Sequence, residues 1–198
     1  MDKLKILLVA GFALAINATA ASAEGLYAGG SIGFSSGGGE IDNSGIDLYL
    51  DTGLVLNGVV GKEFGNARVE GEIAYRHNDM ESADFFGPVD GEMSSLAFMA
   101  NAYYDFGSSD WSFRPYLGIG IGAASVTLNS IDYPANDTST AFALQIMLGG
   151  SIALSDGLAM TVDLRSFGAV PEFVDLGGAP FEQAYGVGSL MVGVRKSF

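Results

Sequence analysis

The sequence of 198 residues has no cysteine, a single histidine and only 9 basic residues against 23 acidic ones. The absence of cysteine excludes disulfide scaffolds, thiol catalysis and thiolate metal sites. The formal net charge of −14 excludes a nucleic-acid binder, because such proteins present basic patches. No internal apolar run reaches the roughly 20 residues of a transmembrane helix. The length of the chain is that of a single domain, and its composition is rich in glycine and aromatic residues.

The first 23 residues are organised like a secretory signal peptide. Lys3 and Lys5 precede the short apolar stretch 6–16, and Ala21-Ser22-Ala23 is a small-x-small cleavage pattern. We therefore predict cleavage between Ala23 and Glu24. Residues 1–23 are the expected leader, and residues 24–198 are the expected mature domain.

The mature chain alternates apolar with small or polar residues. In the segment 142–154, for example, Phe142, Leu144, Ile146 and Leu148 share one face. Such alternation indicates a strand with two different faces. It predicts eight strands: Leu26–Phe34, Leu54–Glu63, Arg68–Arg76, Ser95–Phe106, Trp111–Gly122, Phe142–Leu154, Leu158–Arg165 and Ser189–Phe198.

Short and long connections follow one another along the chain. Gly65-Asn66, Gly107–Asp110 and Ser155–Gly157 are predicted tight turns, and Ser35–Asp51, Asn78–Glu92, Asn129–Ser139 and Gly168–Gln183 are predicted long links. This pattern is typical of an all-β, eight-stranded antiparallel up-and-down transmembrane β-barrel with short periplasmic turns and long extracellular loops. Side chains fill the lumen of an eight-stranded barrel, so we expect no open pore. Ten strands remain an alternative if Asp47–Asp51 or Glu172–Leu176 form extra hairpins.

Charged residues within the predicted strands share the face of the small residues, opposite the apolar face. This predicts a polar, charge-balanced lumen, because unpaired buried charges are costly. The inward set comprises five arginines (Arg68, Arg76, Arg114, Arg165 and Arg195) and five acids (Glu63, Glu70, Glu72, Asp105 and Asp163).

The remaining acids concentrate in the long links, which carry no lysine or arginine. We therefore expect a strongly anionic extracellular face, although keeping the loops soluble would explain the same pattern. The residues concerned are Glu40, Asp42, Asp47, Asp51, Asp79, Glu81, Asp84, Asp90, Glu92, Asp132, Asp137, Glu172, Asp175 and Glu182.

Three segments resemble the small outer-membrane β-barrel family that includes the OmpA transmembrane domain, OmpX and the opacity proteins. Gly25–Gly30 is similar to the family's first strand, and Arg114–Ala124 is similar to its fifth. Val192–Phe198 resembles the C-terminal assembly signal, with Val192, Val194 and Phe198 at its apolar positions and Lys196 where relatives usually carry tyrosine.

The resemblance implies a location in the bacterial cell outer membrane after Sec-dependent export. The implied partners are outer-membrane lipid and lipopolysaccharide, the barrel assembly machinery and a host or surface ligand of the loops. It implies a monomer without enzymatic activity that serves envelope integrity, adhesion or evasion of host defences.

His77 is the one residue that suggests a catalytic alternative. Some small barrels modify lipid A with a histidine and a serine at the rim, but no local His-x-Ser pairing occurs here. Asp42, Asn43, Asp47 and Asp51 do not have the spacing of a calcium loop. We therefore expect no catalytic residue, no cofactor and no metal site, and keep a lipid A-modifying enzyme and a narrow small-solute channel as alternatives.

Overall fold

The computed structural model describes residues 25–41, 46–83, 87–88, 91–108, 111–130, 137–170 and 183–198. Within these ranges lie eight long strands: β1 Leu26–Ile41, β2 Ile46–Phe64, β3 Ala67–Ala83, β4 Gly91–Asp105, β5 Phe113–Ser130, β6 Asp137–Ser155, β7 Leu158–Val170 and β8 Gln183–Ser197. A further two-residue segment, Gly87–Pro88, pairs with the end of β3. The described part contains no helix long and apolar enough to cross a bilayer.

The eight strands form a closed ring. Each strand pairs antiparallel with its sequence neighbour, and β1 pairs with β8 over Tyr27–Ile41, which closes the barrel. Closure leaves no unpaired edge among these strands, so backbone polar groups in an apolar environment are satisfied by the wall itself. The predicted eight-stranded up-and-down barrel is thus confirmed.

Tight turns join the strands at one end, which we call the short-turn end. Phe64 pairs with Ala67 and Ser155 with Leu158, so Gly65-Asn66 and Asp156-Gly157 are two-residue turns. Gly65 and Gly157 have φ values of 66° and 68°, in the region that glycine adopts without steric cost. The opposite end of the barrel, where the long links connect the strands, is called the long-link end below.

The strands extend further into the predicted links than the alternation indicated. β1 and β2 remain paired as far as Ile41 and Ile46, so most of the predicted link Ser35–Asp51 is strand. The run Ser35–Gly39 has no alternating pattern, but ladder pairing needs only backbone groups. Asp47–Asp51 belongs to β2 and forms no extra hairpin, whereas Glu172–Leu176 lies outside the described residues.

The other links also differ from the predicted boundaries. β3 continues to Ala83 and pairs with β4 at Asp79 and Glu92, so the ends of the predicted link Asn78–Glu92 are strand. β5 and β6 likewise extend to Ser130 and from Asp137. The strands have 13 to 19 residues, which is more than the roughly 9–11 residues that a strand needs to cross a bilayer.

An apolar belt covers the outer surface of the barrel. Exposed aliphatic residues such as Ile119, Ile146 and Leu164 occupy its middle, at 57–62% exposure. Exposed aromatics near the short-turn end are Phe64, Phe106, Trp111, Phe113 and Phe198, and Phe34 is exposed towards the other end. Tyr75, also towards that end, is buried against Leu56 and Leu96.

Candidate functional site

The lumen holds a first group of charges around Arg68 on β3. Its Nη1 lies 2.7 Å from Glu70 Oε1 and its Nε lies 3.0 Å from Asp105 Oδ2. The guanidinium also covers the Tyr103 ring at 3.9 Å from its centroid. Tyr27 Oη donates to the same Glu70 oxygen at 2.9 Å, which ties β1 to β3. All these side chains are buried, so their hydrogen bonds replace the water that they lose.

A second group surrounds Glu72, two residues further along β3. Arg165 Nη1 donates to Glu72 Oε2 at 2.6 Å from the opposite wall. Amide groups complete the shell of this carboxylate: it accepts from Asn57, Asn101 and Gln145, at 3.3, 3.1 and 3.4 Å. Glu72 therefore connects five strands through a single buried carboxylate.

Asp163 links the second group to the first. It accepts from Arg165 Nε, and Tyr116 Oη donates to its other oxygen at 3.1 Å. Tyr116 also packs edge-on against Tyr103, beneath the Arg68 guanidinium. The two groups thus form one contiguous network between the walls of the barrel.

Six of the ten predicted lumen residues belong to this network, two more form a separate ion pair, and two arginines have no ion pair among the described residues. Arg195 on β8 lies 3.3 Å from Glu63 on β2, near the short-turn end. Arg76 and Arg114 form no ion pair with any described carboxylate. Arg76 is 1% exposed and its guanidinium lies 3.8 Å from the centroid of the Phe167 ring. A balanced sum of charges therefore does not mean that each charge has a partner.

The half of the lumen nearer the long-link end is largely apolar, which corrects the prediction of a polar interior throughout. Inward-facing side chains pack into one cluster there: Leu50, Met80, Met93, Ala97, Met99, Ala124, Val126, Ala141, Ala143, Phe167, Ala169, Tyr185 and Val187. Leu50 and Met80 fall within segments predicted as links, and Met93 lies between a predicted link and the predicted strand that begins at Ser95. Extending the alternation of β3 and β4 would have assigned Met80 and Met93 to the inward face. Leu50 has the parity of the outward Leu54 and Leu56, and it faces inward because the register shifts between Leu50 and Leu54.

The lumen contains little free space where it is polar. A cavity of about 20 Å³ lies among Arg68, Tyr103, Tyr116 and Arg165, which is room for about one water molecule. Large side chains on several strands are completely buried, among them Tyr185, Phe167, Met147 and Met191. Side chains therefore occupy the space around the small cavity and within the apolar cluster.

A different cluster lies on the outer wall at the long-link end, and the sequence singles out His77 but does not join it to both of the carboxylates beside it. His77 Nε2 is 3.8 Å from Asp79 Oδ1 and 3.7 Å from Glu92 Oε2. The imidazole Nδ1 is buried and has no hydrogen-bond partner among the residues that the structure describes. The predicted catalytic alternative needs a serine bonded to this histidine, but the groups that its accessible nitrogen faces are carboxylates. The cluster depends on the pairing of β3 with β4, which spacing along one strand cannot reveal.

The predicted assembly signal lies on the outer face of β8. Val192 and Val194 are 47% and 54% exposed, and the backbone nitrogen of Phe198 donates to Leu26 O at 2.9 Å. The predicted signal cleavage site, Ala23 and Glu24, lies outside the described residues.

Comparison with known proteins identifies the family of the chain. Residues 6–173 match the family model described as the outer membrane protein β-barrel domain. Among solved structures, Neisserial surface protein A is similar with a TM-score of 0.61 and 18% identity, over 89% of this chain and 99% of its own. OprG from Pseudomonas aeruginosa is similar with a TM-score of 0.57 and 13% identity, over 88% of this chain and 96% of its own. No match was found among curated proteins. The chain therefore belongs to the outer-membrane β-barrel family and is a bacterial outer-membrane protein.

Proposed function

We propose that the protein is a non-enzymatic surface barrel that presents an acidic extracellular end for interaction or envelope integrity. The observation that carries this proposal is the contrast between its two parts. The lumen is filled by side chains that bond across opposite walls, as in the pair Arg165–Glu72. The sequence instead concentrates acidic residues in the long links, and Asp51 and Asp79 are exposed at that end.

The packing of the lumen argues against the channel alternative. A solute would have to displace both the charged network around Glu72 and the apolar cluster above it. Breaking the Arg165–Glu72 pair alone would leave a buried charge without a partner, at a cost of about 3–5 kcal/mol. We therefore expect no stable conductance steps in a planar bilayer.

The charge distribution favours a cationic partner at the extracellular end. Among described side chains, Asp51 and Asp79 are exposed and Glu92 is half-buried at that end. Lys62, Arg195 and Lys196 lie instead towards the short-turn end, beside the start of β1. A surface of one sign attracts groups of the opposite sign and accelerates their encounter. A basic protein surface, or divalent cations shared with lipopolysaccharide, fits this arrangement.

The partners implied by the sequence belong to the same proposal. The apolar belt contacts outer-membrane lipid and lipopolysaccharide, and Lys62 and Lys196 reach the interface on the outer face. The barrel assembly machinery recognises Val192, Val194 and Phe198. With its edges closed in one chain, the barrel functions as a monomer.

An adhesion assay tests the role of the acidic end. A non-adherent bacterial strain would express the wild type or a variant with Asp42, Asp84, Asp132 and Asp175 replaced by asparagine. A control variant carries Asp110→Asn and Asp156→Asn at the opposite end. We expect several-fold weaker adhesion to epithelial monolayers and polylysine-coated glass for the first variant only. Wild-type adhesion equal to that of the empty vector would overturn the proposal.

A lipid A mass spectrum tests the absence of enzymatic activity separately. Cells carrying the wild type, the variant His77→Ala or an empty vector should give identical spectra, with folding confirmed by heat-modifiable gel mobility. An acyl-chain mass change that requires His77 would establish the lipid A-modifying alternative.

A further inference from the structure

We propose that His77, Asp79 and Glu92 form a binding site for a divalent transition-metal ion such as Zn²⁺ on the outer wall of the barrel. One ligand atom from each side chain lies within 4.8 Å of the other two. An imidazole with two carboxylates is a ligand set that suits zinc and its neighbours. The site lies outside the lumen and shares Asp79 and Glu92 with the acidic end described above, but it does not require the surface interaction proposed there.

The sheet itself brings these residues together. His77 and Asp79 are two positions apart on β3, so they lie on the same face of the wall. Asp79 is paired directly with Glu92 on β4, and His77 with Ser94. Opposed positions on antiparallel strands hold side chains about 5 Å apart. The convergence is therefore fixed by strand register and does not depend on a loop.

Two like charges at directly opposed positions destabilise a sheet unless a cation lies between them. No lysine or arginine forms an ion pair with Asp79 or Glu92 among the described residues. The only described group that approaches both carboxylates is the imidazole of His77, at 3.7 and 3.8 Å from its Nε2. A bound divalent ion would compensate both carboxylates while keeping the imidazole neutral.

The distances from His77 Nε2 to the two carboxylates are close to the ligand–ligand distances of a zinc site. Ligands that surround zinc tetrahedrally at about 2.1 Å are about 3.4 Å from one another. The two separations from His77 Nε2, 3.7 and 3.8 Å, exceed this by a few tenths of an ångström. The two carboxylate oxygens lie within 4.8 Å of each other, so they have to move closer together. Asp79 is largely exposed, so its carboxylate can make this adjustment freely.

Neighbouring side chains already orient one of the ligands. Asn129 on β5 donates from Nδ2 to Glu92 Oε1 at 3.0 Å, which leaves Oε2 directed towards His77. The imidazole is only 18% exposed, so its ring has little freedom to turn away. Three protein ligands leave a fourth position for water, as in zinc sites with an open coordination sphere.

The chain's single histidine gives the proposal a direct test. Full-length processed protein, labelled with ¹⁵N-histidine and folded in detergent, would be titrated with ZnCl₂ after removal of metals by chelation. We expect the Nε2 resonance of His77 to shift at one equivalent of Zn²⁺, with Nδ1 remaining protonated. An imidazole spectrum unchanged by Zn²⁺ would overturn the proposal.

Calorimetry on matched variants separates a built site from general attraction to an acidic surface. His77→Ala, Asp79→Asn and Glu92→Gln should each weaken Zn²⁺ binding by at least about tenfold. Asp51→Asn removes the same charge from an exposed residue at the same end and should leave the affinity within about twofold of wild type. Equal losses in Asp51→Asn and Asp79→Asn, or full binding by His77→Ala, would overturn it. Heat-modifiable mobility confirms that each variant is folded.

Discussion

Arg165 on β7 donates from Nη1 to Glu72 Oε2 on β3 at 2.6 Å, and these two strands face each other across the ring of eight. The pair is separated by 93 residues in sequence. It therefore connects opposite walls that share no backbone hydrogen bond, and it is the centre of the network in the polar half of the lumen.

Replacing Arg165 with methionine should destabilise the barrel strongly. The variant Arg165→Met leaves Glu72 buried without its cation, and we expect the free energy of unfolding to fall by about 3–5 kcal/mol. The measurement is the urea midpoint of protein folded in detergent micelles. An unchanged midpoint would show that the network contributes nothing to stability.

The variant Arg76→Met provides the matched comparison. Arg76 is also fully buried, but it packs on Phe167 and has no ion pair with a described carboxylate. Methionine keeps the apolar contact and removes a charge that is costly to bury. We expect its free energy of unfolding, obtained from the urea titration, to stay within about 1 kcal/mol of wild type or to rise. A loss as large as that of Arg165→Met would mean that Arg76 also has an essential partner.

The glycines of β5 make room for the lumen network. A methyl group at Gly120 would overlap Asn101 Oδ1 and come within 2.9 Å of Gln145 Cγ. Gly120→Ala should therefore cost about 1–3 kcal/mol through overpacking. The control is Gly168→Ala, because nothing lies within 4 Å of the added carbon there. Equal urea midpoints for the two variants would contradict this interpretation of the β5 glycines.

The apolar belt predicts a cost of charge that depends on depth. Ile119 is in the middle of the belt and 62% exposed, so Ile119→Arg should destabilise the barrel folded in bilayers by about 2–4 kcal/mol. Leu154 is near the short-turn end, and Leu154→Arg should cost about 0–1 kcal/mol. Denaturant titrations in lipid vesicles measure both values. The reverse order would place the belt elsewhere on the wall.

The C-terminal residue should affect assembly more than stability. Phe198→Ala is expected to reduce the amount of heat-modifiable protein in the outer membrane, while refolding of the purified variant in detergent stays unchanged. Phe64→Ala is the control, because Phe64 is another exposed aromatic near the short-turn end. Similar amounts of both variants in the outer membrane would show that Phe198 is not part of the assembly signal.

The sequence alone predicted the strand faces well, because alternation depends only on neighbouring residues. Arg68, Glu70 and Glu72 could be assigned to one side of β3 by their spacing of two. The partner of Glu72 could not, since it depends on the shear of the closed barrel and on a strand 93 residues away. The same limitation hid the cluster of His77 with Glu92, which exists only in the register of β3 against β4.

The strand ends were the other part that the sequence left undetermined. Ser35–Gly39 lacks the side chains that mark a strand, but its backbone pairs with β2 and β8 on either side. The apolar cluster of the lumen was missed for the same reason, because Met80 and Met93 lie beyond the last clear alternation. The alternation of residues along the chain indicates the central part of a strand, whereas the end of the strand depends on how far the neighbouring strands continue to pair with its backbone.

The ion pair between β3 and β7 also determines how the barrel responds to mechanical force. Pulling on the C terminus extracts β8 and then β7, and extraction of β7 removes Arg165 from Glu72. The six strands that remain then contain an uncompensated carboxylate and two open edges. We expect them to give way together, so that a force trace ends in one cooperative rupture after the final hairpin is removed, instead of a series of equal steps.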